Sequence, residues 1–181
     1  MKRLIVLGVC FWVISLTGAE AQAGTGKVEV TFNFTRQGGY ATNQFAVWVE
    51  DSGGKYIKTL YATMFTANGG WKTRDQSLPV WVKQSGLSGM KKNETDAVTG
   101  STPQTGKVSY IWDGTNQAGL AVPAGEYRIF VEATLRNENQ VMYNAAVRLG
   151  GGASEFQPNP VYKGNSARER GMIGGVKISV K

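Results

Sequence analysis

The chain contains no histidine and a single cysteine, Cys10. Without histidine, the usual general base near neutral pH, the commonest zinc and copper ligand and any Ser-His-Asp arrangement are missing. Cys10 lies inside an N-terminal leader, so the exported remainder carries no thiol. That excludes disulfides, thiolate metal sites, thiol nucleophiles and c-type haem attachment there. An exported domain without disulfides has to be held by its core, and 181 residues suffice to bury one in a single domain. Long hydrophobic runs are also scarce. Leu4 to Leu16 is the one apolar run of note, and it falls short of the ~20 residues that span a bilayer.

The leader has the plan of a secretory signal peptide. Lys2 and Arg3 precede the apolar run, and small residues come after it at Ala19-Glu20-Ala21 and Ala21-Gln22-Ala23. Cleavage is expected after Ala21 or Ala23, which makes 1–23 the signal peptide and 24–181 one exported domain. Val9 is too large for a lipoprotein site before Cys10. The formal charge of +7 falls by one, to +6, once Lys2, Arg3 and Glu20 leave. Such a surface suits anionic lipid, a phosphate-bearing ligand or an acidic partner. No basic helix or RNA-binding motif appears, and the exported compartment argues against nucleic acid.

Beyond the leader, apolar–polar alternation dominates the chain. Val28, Val30, Phe32 and Phe34 share one face of a strand. Phe45, Val47 and Val49 share one face of a second, with Trp48 on the other as a surface stack or part of a second packed face. Asp51-Ser52-Gly53-Gly54 turns that strand into the one from Tyr56 to Met64. Val108–Trp112, Tyr127–Leu135, Val141–Leu149 and Val176–Val180 complete seven strands, with a turn at Asn137-Glu138-Asn139. The one short helix expected runs from about Leu78 to Gln84, with Pro79 in its first turn and Gly86 as its stop. The pattern is all-β: an antiparallel Ig-like sandwich of about seven strands with two long loops, 65–106 and 150–172.

The stretch Tyr110-Ile111-Trp112-Asp113-Gly114-Thr115-Asn116 through Val122-Pro123-Ala124-Gly125-Glu126-Tyr127 resembles the Ig-like module of flagellar hook-capping proteins. It supports the fold and leaves function open. Asp113, Thr115 and Gln117 lack the further acidic positions of a calcium loop, so a turn is expected. Phe32–Tyr40, Asn43–Glu50, Phe65–Gly70 and Ser77–Trp81 occur in the order found in the periplasmic family called domain of unknown function 2271, which the chain resembles. That resemblance implies an association with flavin transferases and PepSY-type membrane reductases.

The heptad Asp96-Ala97-Val98-Thr99-Gly100-Ser101-Thr102 resembles the target of FAD:protein FMN transferases, D-x-x-[ST]-G-A-[ST]. Asp96, Thr99, Gly100 and Thr102 match, while Ser101 stands where alanine is usual and adds a second hydroxyl. The resemblance implies covalent FMN on Thr102 through a phosphoester. Gly100 would lend flexibility and close approach, and Asp96 would orient the loop in the transferase. Lys91, Lys92 and Lys107 would offset the phosphate charge. Trp71 and Trp81 are candidates to stack on the flavin, although for Trp81 anchoring the short helix to the sandwich is the favoured reading. Arg36 and Tyr40 sit in a Gly-Gly loop, where Arg36 could meet phosphate or stand exposed. The expected function is an exported flavoprotein electron carrier or electron-transfer subunit. The alternative is a cofactor-free Ig-like binding or structural module of the cell envelope.

Overall fold

The computed structural model describes residues 24, 26–39, 41–90, 97–136 and 139–181, with the backbone alone for 166–167. The expected signal peptide 1–23, Tyr40, Lys91, Lys92, Asp96 and the turn residues Asn137 and Glu138 lie outside the described residues.

Two sheets face each other across one core. The first has the order β5-β1-β10-β8. It consists of β1 (Val28–Phe34), β5 (Gly106–Trp112), β8 (Ser154–Phe156) and β10 (Ile173–Val180). The second has the order β4-β3-β2-β6-β7-β9. Its strands are β2 (Gln44–Asp51), β3 (Tyr56–Thr63), β4 (Thr99–Gly100), β6 (Gly125–Arg136), β7 (Asn139–Leu149) and β9 (Val161–Lys163). The seven long strands are those the alternation marks. The three short ones, β4, β8 and β9, fall in the two segments expected to be loops. They form there because each lies against a ready edge that still has unpaired backbone groups.

Side chains alternating inward from both sheets fill the space between them. Val28, Val30, Phe32 and Phe34 meet Phe45, Val47, Val49, Ile129 and Val131, all buried. Phe32 and Phe45 pack edge to face with centroids 5.5 Å apart. Full burial of each such side chain contributes roughly 1.5–3 kcal/mol.

The larger sheet is covered on its outer face too. The segment after β3, expected as a long loop, folds into α1 (Met64–Ala67), α2 (Pro79–Gln84) and two 3₁₀ turns at Gly70–Lys72 and Leu87–Gly89. It brings Ala67, Leu78, Trp81 and Leu87 onto Ala46, Trp48 and Ala62, making a second, smaller core. Trp48 therefore belongs to a second packed face and stacks on Phe130 at 4.9 Å and 8°. This cap is also a crossover. β4 runs parallel to β3, pairing Ala62 with Thr99 and Thr63 with Gly100, whereas the other ladders among the described residues are antiparallel. Parallel neighbours need a connection of about a dozen residues or more, and the cap supplies it. A third helix, α3 (Asn165–Arg170), precedes β10. No helix among the described residues is long and apolar enough to cross a membrane.

Polar groups under the cap are matched rather than avoided. Gln44 Oε1 accepts from the Thr63 hydroxyl at 2.6 Å and the Thr66 hydroxyl at 3.0 Å, and Thr66 also bonds Ser77 at 2.6 Å. Trp81 Nε1 donates to Thr59 Oγ1 at 2.8 Å. α2 begins at Pro79, which has no N–H, after Leu78 in the left-handed region at φ +54°. The free N–H groups of Val80 and Trp81 are taken by Glu132 from β6, at 3.2 and 2.7 Å. This carboxylate replaces the local side-chain cap that the helix lacks. Gln140 Nε2 donates to it as well.

Candidate functional site

The described part of the heptad, residues 97–102, begins at the edge of the larger sheet. The Ala62 N–H donates to Val98 O at 2.9 Å, and the two residues of β4 continue the pairing. From Gly100 the chain leaves this sheet and reaches the other at Gly106, the first residue of β5. Residues 101–105 therefore cross the open side of the sandwich. At the far end of the crossing, the Arg36 N–H donates to Thr105 Oγ1 at 3.0 Å. The Arg36 side chain is exposed.

One residue that the sequence did not single out holds the crossing in place. The Tyr61 hydroxyl donates to Ser101 O at 2.7 Å. A Cβ on Gly100 would come within 2.7 Å of Tyr61 Cε2. Gly100 is not among the residues of positive φ, so its role in this fold is steric: it makes room for a tyrosine ring. The expected flexibility of Gly100 gives way to that close contact. Tyr61 is itself pinned, stacking on Phe45 at 5.0 Å and leaning on Tyr110 at 4.8 Å. Burial pushes its phenol up to about 12, so it remains a donor at neutral pH.

Ser101 is exposed and Thr102 half-buried. Neither hydroxyl makes a hydrogen bond among the described residues, and each is chemically free to be modified. Thr99 stands half-buried within β4.

The two candidate tryptophans have different fates. Trp81 is 0 % exposed, with its indole N–H bonded to Thr59, so neither ring face is open to a flavin. Its expected stacking role is corrected to the anchoring one. Trp71 is half-buried and lines a cleft of about 460 Å³ with Ala67, Lys72, Leu87 and Met90. That volume falls in the range of ordinary ligand clefts. Lys72 Nζ sits 5.6 Å from the Trp71 ring centroid. Ala67, the last residue of α1, is among the residues lining the cleft, and α1 packs beside β4. Lys107 stands on the outer face of the smaller sheet, in a groove with Glu29, Glu155, Lys177 and Lys181.

The Asp113 turn is structural. Asp113 Oδ1 accepts from the Thr115 hydroxyl at 2.6 Å, the Thr115 N–H at 3.1 Å and Lys58 Nζ at 3.1 Å. The Thr115 hydroxyl, with Lys58, holds the Asp113 carboxyl at about 2. Trp112 Nε1 donates to Thr115 O at 2.7 Å, and the Tyr127 hydroxyl donates to Pro123 O at 2.7 Å. The latter has the form of the tyrosine corner of Ig-like sandwiches.

No curated protein and no solved structure matches the chain. One family model, described as predicted periplasmic protein (DUF2271), matches residues 25–163. The match runs from the residues before β1 through β9, and so includes the cap, the crossing and the Asp113 turn. Since it covers well over half of the sequence, the chain belongs to the DUF2271 family of predicted periplasmic proteins.

Proposed function

We propose that this is a periplasmic electron carrier, exported by a cleaved signal peptide and bearing FMN on Thr102. What carries the reading is the setting of the heptad. Two hydroxyls with no hydrogen bond among the described residues, Ser101 and Thr102, lie on a crossing held at both ends by hydrogen bonds. The residues present fit the group. The Thr102 hydroxyl can take a phosphoester, and Trp71, in its cleft beside Lys72, offers an electron-rich ring face to the planar, electron-poor oxidised isoalloxazine.

Attachment is a phosphoryl transfer carried out by an FAD:protein FMN transferase. Thr102 Oγ attacks the FMN phosphorus of FAD, the bond to the AMP oxygen breaks, AMP leaves, and the hydroxyl proton passes to the transferase. The bound isoalloxazine supplies the electron chemistry, and the protein positions it and sets its surroundings. A PepSY-type membrane reductase would serve as the electron donor.

Co-expression with such a transferase tests this directly. The protein is expected to show in-gel flavin fluorescence and to gain the mass of FMN less one water. Thr102→Ala is expected to lose both while keeping its melting temperature. A wild-type chain with neither signal overturns the reading.

A second reading, a cofactor-free Ig-like binding or structural module, draws on the tyrosine corner and on β5. That strand is a sheet edge carrying Ile111, which is 58 % exposed. Colourless native protein that copurifies with an envelope partner is the outcome that favours it.

A further inference from the structure

We propose that Tyr61 is the positioning residue that selects Thr102 over Ser101 as the acceptor. The inference rests on the flavin reading and deepens it. The heptad alone leaves two neighbouring hydroxyls, because Ser101 replaces the usual alanine. Tyr61 touches the backbone where that choice is made. Its ring lies against Gly100, and its hydroxyl bonds the carbonyl of Ser101.

The Ser101 carbonyl is part of the rigid peptide plane that ends at the Cα of Thr102. Holding that oxygen fixes the plane, and with it the directions in which the two side chains leave the backbone. In extended chain, successive side chains take opposite faces. Ser101 and Thr102 do differ, one being exposed and the other half-buried. The segment just before them is fixed by Ala62 and Thr63, which pair with Thr99 and Gly100. Tyr61 cannot drift, because Phe45 and Tyr110 hold its ring at 5.0 and 4.8 Å. If the phenol bond is lost, the plane can rotate and exchange the settings of the two hydroxyls.

The test uses folded wild type and Tyr61→Phe, each incubated with an FAD:protein FMN transferase and FAD, then mapped by peptide mass spectrometry. Tyr61→Phe keeps the ring and removes only the hydroxyl. Wild type is expected to carry FMN on Thr102 alone. Tyr61→Phe is expected to carry it on both Thr102 and Ser101, with the initial rate at Thr102 about fivefold lower, the effect of one neutral hydrogen bond. Adding Ser101→Ala to Tyr61→Phe is expected to restore a single site without restoring the rate; the split between two sites in Tyr61→Phe, at an unchanged melting temperature, is what a purely structural role for Tyr61 would not produce. Independently of any transferase, the Ala62 amide is expected to exchange faster in Tyr61→Phe. Modification of Tyr61→Phe at Thr102 alone and at the wild-type rate overturns the selection role and leaves the flavin reading standing. A wild-type chain that takes no FMN at any residue overturns both.

Discussion

Glu132 Oε2 accepts the backbone N–H of Trp81 at 2.7 Å, joining the middle of β6 to the first turn of α2 across 51 positions of sequence. The carboxyl is fully buried, and burial pushes it from 4.5 up to about 7 despite the N–H groups of Trp81 and Val80 and the Gln140 amide, which pull it down. The folded protein thus holds this proton more tightly than the unfolded chain does. Its contribution is complete below pH 4.5 and is lost as pH rises through about 7. At about 1.4 kcal/mol per unit, on the order of 3 kcal/mol of stability is expected to disappear across that window. Urea denaturation from pH 4.5 to pH 8 measures it, and Glu132→Gln is expected to flatten this part of the profile.

Gly100→Ala drives a methyl group into Tyr61. A cost of about 1–3 kcal/mol is expected, as for overpacking elsewhere. In a Tyr61→Ala background the obstacle is gone, and the same substitution is expected to cost at least about 0.5 kcal/mol less. A double-mutant cycle by chemical denaturation reads the coupling. Additive effects would place the close contact elsewhere.

Trp81→Ala removes the largest fully buried side chain that the cap contributes to the second core and leaves the Thr59 hydroxyl with Tyr56 as its remaining side-chain partner. A loss of about 3–5 kcal/mol is expected. Trp71→Ala, at a half-buried position, is expected to cost about 1 kcal/mol. Comparable losses at the two positions, measured by denaturant midpoints, would contradict the different burial of the two rings.

Tyr127→Phe deletes the hydroxyl that reaches back to Pro123 O. About 1 kcal/mol is the expected cost, read from the shift in thermal midpoint. A neutral result would show that the corner is held by ring packing against Trp112 alone, which lies 4.9 Å away.

Period-two alternation made the sandwich legible, because β1, β6 and β7 each have one face in the main core. β2 was harder to read. Ala46, Trp48 and Glu50 occupy the alternate positions that usually face solvent, yet here all three are buried, Ala46 and Trp48 beneath the cap and Glu50 on the Trp48 indole N–H. Glu132 is hidden for the same reason, as a charged residue between apolar ones that reads as an outward-facing position. What covers Ala46, Trp48 and Glu132 lies in a segment rich in glycine and polar residues, whose two α-helices are too short to show a helical period. The heptad could be found as a string, but Tyr61 could not be tied to it. The two are 40 positions apart, and only the parallel pairing of β3 with β4 brings them together.

That pairing has a consequence for how this chain can vary. The cap leaves the sheet after Thr63 and returns at Thr99, one rung away from where it left. A segment whose two ends are neighbours can lengthen, shorten or be exchanged without moving any strand of the sandwich. Relatives are therefore expected to vary in length within this segment, outside the blocks Phe65–Gly70 and Ser77–Trp81, while every strand of the sandwich stays in place. The domain is built like a socket with an adjustable cover: what lies over the outer face can change in length while the strands beneath it keep their places.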